Sequence, residues 1–168
     1  MLTHLLIMRH AKSSWKTDGL PDHQRPLNKR GERSADAIAS ALVRRGFAPD
    51  KIWSSDATRT TLTAKRMIEV IPGAQTILYN PALYLASAEK ILLICGEQDE
   101  PEGKLMLLGH NPGMGNLFEH FTGRSHRFPT ASCAIFTRKD ENTHWLSPHA
   151  WQFKELLQPR ELLGETIN

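Results

Sequence analysis

The sequence predicts an α/β fold, a three-layer sandwich in which helices cover both faces of a mostly parallel central sheet. Short apolar runs alternate along the chain with segments of helical periodicity, which is typical of parallel strands joined by helices. Two of these runs, 5–8 and 105–108, are apolar without a break, as expected for strands that are buried on both faces. At 168 residues the chain is long enough to form one domain, and we expect 1–168 to be a single domain.

The first half of the chain begins with a strand over 3–8 and a polar loop over 9–28, a length typical of functional loops. Apolar residues at helical spacing predict a helix over Lys29–Arg45, with Asn28 as its N-cap and Gly46 just beyond its end. The next predicted elements are a strand over Lys51–Ser54, a helix capped by Ser55 or Asp56 that runs to about Val70, and a strand over Thr76–Tyr79.

The second half of the chain has weaker patterns towards its end. Its predicted elements are a helix over 88–96 capped by Ser87, a loop over 97–103, a strand over 104–108, a helix over 113–121, and strands over 132–137 and 143–146. The tail, 151–163, mixes apolar and charged residues, and its sequence leaves its structure open.

Composition excludes several classes of protein. Hydrophobic residues make up 40% of the chain and charged residues 23%, as in ordinary soluble proteins. The net charge of +3 is spread along the chain, and no basic stripe interleaves with aromatic residues, which argues against nucleic acid as a partner. No apolar run reaches membrane-spanning length, and Arg9 and His10 interrupt the N-terminal apolar stretch, which is unlike a signal peptide. We therefore expect no membrane partner and a cytoplasmic location.

The two cysteines, Cys95 and Cys133, are far apart and lie in apolar surroundings. This pattern predicts reduced, buried thiols rather than a metal site. The scattered histidines show no metal-ligand spacing either, and we expect neither a metal nor another cofactor.

Polar side chains follow three of the predicted strands. Arg9 and His10 follow the first strand, Arg59 opens the helix after the second, and His110 follows the strand over 104–108. Ligands of parallel sheets bind beyond the carboxyl ends of the strands. We therefore expect these four side chains to meet at one edge of the sheet.

Such a set of side chains suits the capture of a phosphoryl group. A guanidinium fork matches the oxygens of a phosphate, and Arg25 of the long loop can add a third cation. Inside this cage a neutral imidazole is a competent nucleophile, and neighbouring arginines would lower the pKa of His10 and keep it neutral. A second histidine, once protonated, can stabilise the charge on the transferred group.

Four motifs resemble those of the histidine phosphatase superfamily, whose fold is called phosphoglycerate mutase-like, and most closely its SixA-type phosphohistidine phosphatases. The motifs are MRHAKS (8–13), DHQRPL (22–27), SSDATRT (54–60) and GHNPG (109–113). Each motif alone is a weak signal, but four in this order, from residue 4 to about 135, are a strong one. The resemblance implies a mostly parallel sheet that contains one antiparallel strand.

The resemblance also implies roles for the candidate residues. It makes His10 the nucleophile of a metal-independent phosphatase with a covalent phosphohistidine intermediate. Arg9, Arg59 and His110 become its phosphate pocket, and Arg25 an additional phosphate or substrate contact.

One departure from the family concerns the proton donor. Larger relatives place a catalytic glutamate shortly after the third strand, whereas Tyr84 stands near that position here and Glu89 is expected to face solvent. An alkoxide leaves poorly without a proton, whereas the imidazole of phosphohistidine is a better leaving group. The chain also lacks the insertion that encloses small substrates in larger relatives. Together these features favour phosphohistidine displayed on another protein, with Asp22 as the remaining candidate to handle a proton.

Two other functions stay open at this point. One is a phosphatase of small phosphate esters that uses the same nucleophile, and the other is a non-catalytic phosphate-binding module. A mutase is less favoured because it needs a closed pocket that excludes water. We further expect Trp15 and Trp53 to be packing residues.

Overall fold

The computed structural model describes residues 1–164 of the chain. Within this range the chain forms six strands and five α-helices. The strands are β1 (Leu2–Arg9), β2 (Lys51–Ser54), β3 (Thr76–Tyr79), β4 (Gly103–Gly109), β5 (Cys133–Arg138) and β6 (Trp151–Leu157). The helices are α1 (Lys29–Arg45), α2 (Thr58–Val70), α3 (Ala88–Gly96), α4 (Gly113–Thr122) and α5 (Pro159–Leu162). None of these helices is long and apolar enough to cross a membrane.

The six strands form one sheet in the order β3-β2-β4-β1-β5-β6. Strands β3, β2, β4 and β1 are parallel to one another, and β5 is antiparallel to both of its neighbours. The expectation of a mostly parallel sheet with one antiparallel strand is therefore confirmed. Parallel order places the carboxyl ends of β1, β2 and β4 at one edge of the sheet.

Helices cover both faces of the sheet, which confirms the three-layer sandwich. In β1, Leu5 and Ile7 pack into the apolar core beneath α3 and α4, whereas Leu6 and Met8 pack into the core beneath α1, α2 and α5. Alternate side chains of a strand point to opposite faces, so a strand between two cores must be apolar at every position. This explains the uninterrupted run in the sequence.

The strand predicted over 143–146 is wrong, because these residues lie in turns between β5 and β6. The carboxylate of Asp140 accepts hydrogen bonds from the Asn142 amide and the Thr143 hydroxyl, which closes a turn where the strand would begin. The apolar Trp145, which suggested a strand, packs into the core beneath α3 and α4. The last strand is instead β6, formed by the tail whose sequence left the structure open.

Candidate active site

The first residues beyond three neighbouring strands meet at the carboxyl edge of the sheet. Arg9, at the end of β1, is paired with Gly109 at the end of β4, so His10 and His110 leave the sheet at the same level. Ser55 leaves β2 on the other side of β4. The parallel register therefore brings together residues that are 100 positions apart, as the strand-end argument predicts.

A cavity of about 280 Å³ opens at this edge. The sequence-predicted residues that line it are Arg9, His10, Asp22, Arg59 and His110. We call His10, Arg59 and His110 the floor of the cavity, because each is almost completely buried. Arg25 does not line the cavity, in contrast to the other five candidates.

The loop that follows β1 is fixed by close packing against the start of α1. A Cβ atom on Gly31 would lie 2.1 Å from the Lys12 carbonyl oxygen, so only glycine fits there. The same carbonyl accepts a hydrogen bond from the backbone amide of Asn28 (3.0 Å). The side-chain oxygen of Asn28 accepts a hydrogen bond from the Gly31 backbone amide (2.8 Å), so Asn28 caps α1 as predicted. The backbone directly after His10 is thus held in place.

The two ring nitrogens of His10 have different surroundings. Nδ1 lies 2.7 Å from the Ala11 carbonyl oxygen, which can only accept, so we assign the ring proton to Nδ1. Nε2 then carries a lone pair and accepts a hydrogen bond from Arg59 Nε (3.3 Å). The ring nitrogen that carries the lone pair therefore faces the guanidinium group.

Burial keeps both floor histidines neutral. It lowers the pKa of His10 to about 4, and the positive charges of Arg59 and Arg9 act in the same direction. Burial likewise lowers the pKa of His110 to about 3, with smaller contributions from His10 and Arg59. The predicted lowering of the His10 pKa is confirmed, but its largest cause is burial rather than the neighbouring arginines.

His110 is held by Ser55, a residue that was expected to cap α2. Its Nε2 lies 2.8 Å from Ser55 Oγ, and both residues are buried. Ser55 Oγ also accepts a hydrogen bond from the Ala57 amide, so its own hydroxyl proton is available for the imidazole. The Nδ1 atom of His110 and the Nε atom of Arg9 are buried without a partner in residues 1–164. An anion in the cavity would supply the acceptors that such groups require.

The predicted caps of α2 are wrong. The helix begins at Thr58 with Ala57 as its N-cap, so neither Ser55 nor Asp56 caps it. The reason is positional: Ser55 directly follows β2, where its backbone amide still donates to the Leu108 carbonyl of β4 and its hydroxyl contacts His110. Its place directly after a parallel strand was the signal in the sequence that could have assigned it to the site.

Arg59, in the first turn of α2, uses all three of its guanidinium nitrogens. Nε donates to His10, Nη1 donates to the Asp22 carbonyl oxygen (2.8 Å), and Nη2 donates to the Asp22 carboxylate (2.9 Å). This geometry holds a planar group of donors directly over the His10 ring nitrogen. A guanidinium in that position can transfer its donors to phosphate oxygens.

The Asp22 carboxylate accepts a second hydrogen bond, from the hydroxyl group of Tyr84. This hydrogen bond is the largest cause of a lowered Asp22 pKa, and Arg59 adds to it. The Asp22 side chain is 45% exposed and is ionised near neutral pH. The carboxylate can therefore accept a proton, but it has none to donate at that pH.

Trp15 is not a packing residue as expected, since it is 67% exposed and lines the cavity. The Arg25 guanidinium lies 3.9 Å from the centre of its ring, in a cation–π contact. Trp53, the second tryptophan that was expected to be a packing residue, does pack against the core beneath α3 and α4. Arg25 therefore contacts a residue that lines the cavity, Trp15, without lining the cavity itself.

Within residues 1–164, no group of three or more His, Cys, Asp or Glu side chains is arranged to hold a metal ion. Cys95 and Cys133 are free and buried, and burial raises the pKa of each thiol. The cavity is lined by three cationic side chains, those of Arg9, Lys12 and Arg59.

Comparisons with known proteins agree with this fold and these motifs. The profile of the histidine phosphatase superfamily (branch 1) matches residues 5–83. An uncharacterised chloroplastic protein of Arabidopsis thaliana is 33% identical, over 92% of this chain and 77% of its own. A candidate phosphohistidine phosphatase SixA from Agrobacterium tumefaciens has a similar structure, with a TM-score of 0.80, 30% identity, and coverage of 95% of this chain and 99% of its own. The protein histidine phosphatase SixA complexed with tungstate shares the fold at 18% identity, with a TM-score of 0.78 and coverage of 95% and 99%.

The chain belongs to the histidine phosphatase superfamily. Within it, the chain is of the SixA type, with the phosphoglycerate mutase-like fold that the motifs implied. This membership supports a phosphatase activity, hence a hydrolase, with phosphorylated compounds as substrates.

Proposed function

We propose that the protein removes the phosphoryl group from phosphohistidine on other proteins, through a covalent intermediate on His10. The observation that carries this proposal is the orientation of the His10 ring, whose protonated Nδ1 is tied to the Ala11 carbonyl while Nε2 opens towards Arg59. A packing histidine has no need of a lone pair directed at a buried guanidinium group.

In the first step His10 Nε2 attacks phosphorus, so the new P–N bond forms as the substrate's P–N bond breaks. The lone pair is available without prior loss of a proton, because burial keeps His10 neutral. The phosphorylated ring is cationic, since it retains its Nδ1 proton. The Ala11 carbonyl oxygen, 2.7 Å from Nδ1, stabilises that positive charge.

Arg9, Arg59 and His110 bind the transferred phosphoryl group. The Arg59 donors pass from His10 to phosphate oxygens, and the buried Arg9 Nε gains an acceptor. A dianion in the cavity also favours protonation of His110, which lines the same cavity. These donors supply the electrostatic stabilisation of the transition state.

The leaving group needs no acid from the protein. When the second ring nitrogen of the substrate's phosphohistidine is protonated, the imidazole leaves as a neutral molecule. An alkyl ester has no such route, and the Asp22–Tyr84 pair offers it an ionised carboxylate in place of a proton donor. This difference supports phosphohistidine over small phosphate esters.

In the second step water attacks phosphorus, and the P–N bond to His10 breaks to release inorganic phosphate and a neutral imidazole. The Asp22 carboxylate lines the cavity and can accept the proton of that water. In this way Asp22 would handle a proton as an acceptor.

Leaving-group dependence tests the proposal. The wild-type protein is assayed with phosphohistidine peptides, aryl phosphates and alkyl phosphates, and alkaline denaturing quenching with ³²P-labelled substrate is used to trap phosphate on the protein, because the P–N bond of phosphohistidine is stable in base. We expect kcat/KM to fall steeply from phosphohistidine to alkyl phosphates, and trapped label that is absent from His10→Ala. Equal turnover of alkyl phosphates would overturn the substrate assignment. Phosphate binding without any turnover would indicate a binding module.

A further inference from the structure

Two large apolar side chains stand exposed where the cavity meets solvent. Trp15 is 67% exposed and Leu85 is 54% exposed, and both line the cavity. We call this pair the mouth. The two residues belong to different loops, one after β1 and one after the 3₁₀ turn at Pro81–Leu83. Exposed apolar groups gathered at a binding pocket are typical of protein interaction sites.

The backbone of Leu85 carries strain that its packing does not explain. Its φ angle is +51°, in the left-handed region that favours glycine and is rarely adopted by a bulky residue. The chain adopts this strained conformation and yet leaves the side chain more than half exposed. Strain retained without burial points to a role for the exposed side chain.

Trp15 is held in place although it is exposed. The Arg25 guanidinium lies 3.9 Å from the ring centre, and its Nε and Nη1 atoms are buried without hydrogen-bond partners in residues 1–164. The two neighbouring positions on the loop, Ser13 and Ser14, are fixed by backbone pairing with Leu27 and Pro26. A large aromatic group with a fixed position loses little entropy on binding, which makes it an effective contact for a partner.

Positive charge lies beside the mouth. Exposed Lys12 lines both the cavity and an adjoining groove, and exposed Arg127 lines that groove as well. An adjacent apolar and basic surface is complementary to a protein surface with apolar groups and carboxylates. Inorganic phosphate and free amino acids are too small to cover both regions at once.

We propose that the mouth docks the surface of a folded protein around its phosphohistidine, with acidic side chains of that protein facing Lys12 and Arg127. This inference rests on the proposed function, because it takes the phosphohistidine itself to enter the floor. The mouth selects the protein that carries the phosphoryl group, whereas the floor performs the chemistry.

The test compares two substrates with the same P–N bond. One is a small folded phosphotransfer protein phosphorylated on histidine with potassium phosphoramidate, and the other is free phosphohistidine. The variants are Trp15→Ala and Leu85→Gly. The control is Leu93→Ala, because Leu93 on α3 is 65% exposed and does not line the cavity. Leu85→Gly is informative because glycine accepts the positive φ, so the fold is retained while the side chain is lost.

For each mouth variant we expect kcat/KM with the phosphoprotein to fall about tenfold or more, as for a central interface residue. Turnover of free phosphohistidine should change by less than about twofold, as should both activities of Leu93→Ala. The thermal midpoint of Leu85→Gly should not fall. For Arg127→Ala, kcat/KM with the phosphoprotein should depend less on salt than in the wild type.

Unchanged phosphoprotein turnover in both mouth variants would overturn the docking proposal while leaving the proposed function intact. Equal losses with both substrates would also overturn it, because the mouth would then act on the chemistry or the fold. A wild-type protein that hydrolyses phosphate esters and leaves the phosphoprotein untouched would overturn both proposals, and this result differs from the first two in the wild type itself.

Discussion

The floor and the mouth lie in one cavity but are built in opposite ways. His10, Arg59 and His110 of the floor are between 2% and 7% exposed, and each is held by hydrogen bonds to protein groups. Trp15 and Leu85 of the mouth are more than half exposed. Chemistry on phosphorus requires atoms in fixed positions, whereas recognition of a protein requires an accessible surface. Substitutions in the floor should therefore affect every substrate, and substitutions in the mouth only large ones.

The largest effect is expected from His10→Asn, which removes the nucleophilic nitrogen at the centre of the floor. Turnover of both phosphoprotein and free phosphohistidine should fall by about 10⁶-fold, the scale seen when a nucleophile is removed. No phosphate should be trapped on the variant. His120→Asn is the matched control, because His120 contacts the Leu146 carbonyl and lies outside the cavity. Activity that survived only with the small substrate would break the division between floor and mouth.

Arg59→Lys should rank second. A lysine keeps the charge but cannot direct donors to His10 and Asp22 at once, so kcat should fall by about 10²–10³-fold with both substrates. Arg66→Lys is a strict control on the same helix, since Arg66 makes a bidentate pair with Asp36 at the surface. If the two variants lost activity equally, a general effect on α2 would replace the specific role of Arg59.

Ser55→Ala tests whether the floor depends on orientation as well as charge. His110 would lose the one hydrogen bond that its side chain makes within residues 1–164, and kcat/KM should fall about tenfold, the equivalent of one hydrogen bond. The ¹⁵N shifts of the His110 ring should change as well, which a general loss of stability would not produce. Ser54→Ala is the control, because Ser54 is equally buried and bonds to the Ser55 carbonyl rather than to the imidazole. Identical behaviour of the two variants would argue against a positioning role for Ser55.

The smallest effect concerns stability. The pKa values of His10 and His110 are lowered to about 4 and about 3, so between pH 6.5 and 4 the unfolded chain binds more protons than the folded one. This contribution to stability is complete above pH 6.5 and is lost as the pH falls, by up to about 1.4 kcal/mol per pH unit for each histidine. Urea unfolding at about pH 7 and pH 5.5 should therefore show a smaller pH dependence in His10→Asn, by about 1 kcal/mol. Equal pH dependence in variant and wild type would contradict the buried neutral imidazole.

The candidate floor could be predicted from the sequence because a simple geometric rule connects sequence to space. Buried parallel strands are visible as apolar runs, and their carboxyl ends must meet at one edge. That rule placed His10, Arg59 and His110 together. The apolar pattern was misleading at 143–146, where Trp145 packs into the core from a turn and not from a strand.

The mouth could not be predicted, because exposure is not a property of a residue type. Trp15 is a large apolar residue of a type common in protein cores, and only the position of its loop leaves it in solvent. The same holds for Leu85, since neither its positive φ nor its exposure has a signature in the identity of the residue.

The sequence alone determined the order of strands and helices as far as β5 and the types of side chain that stand at the strand ends. The tertiary structure alone decided which nitrogen of His10 carries the lone pair, how far burial lowers the pKa of each histidine, and which apolar side chains face solvent. These properties depend on neighbours that come from distant parts of the chain, such as Arg59 over His10 and Ser55 beside His110. The physical reason is that hydrogen bonding and desolvation act through space over a few ångströms, whatever the separation along the chain.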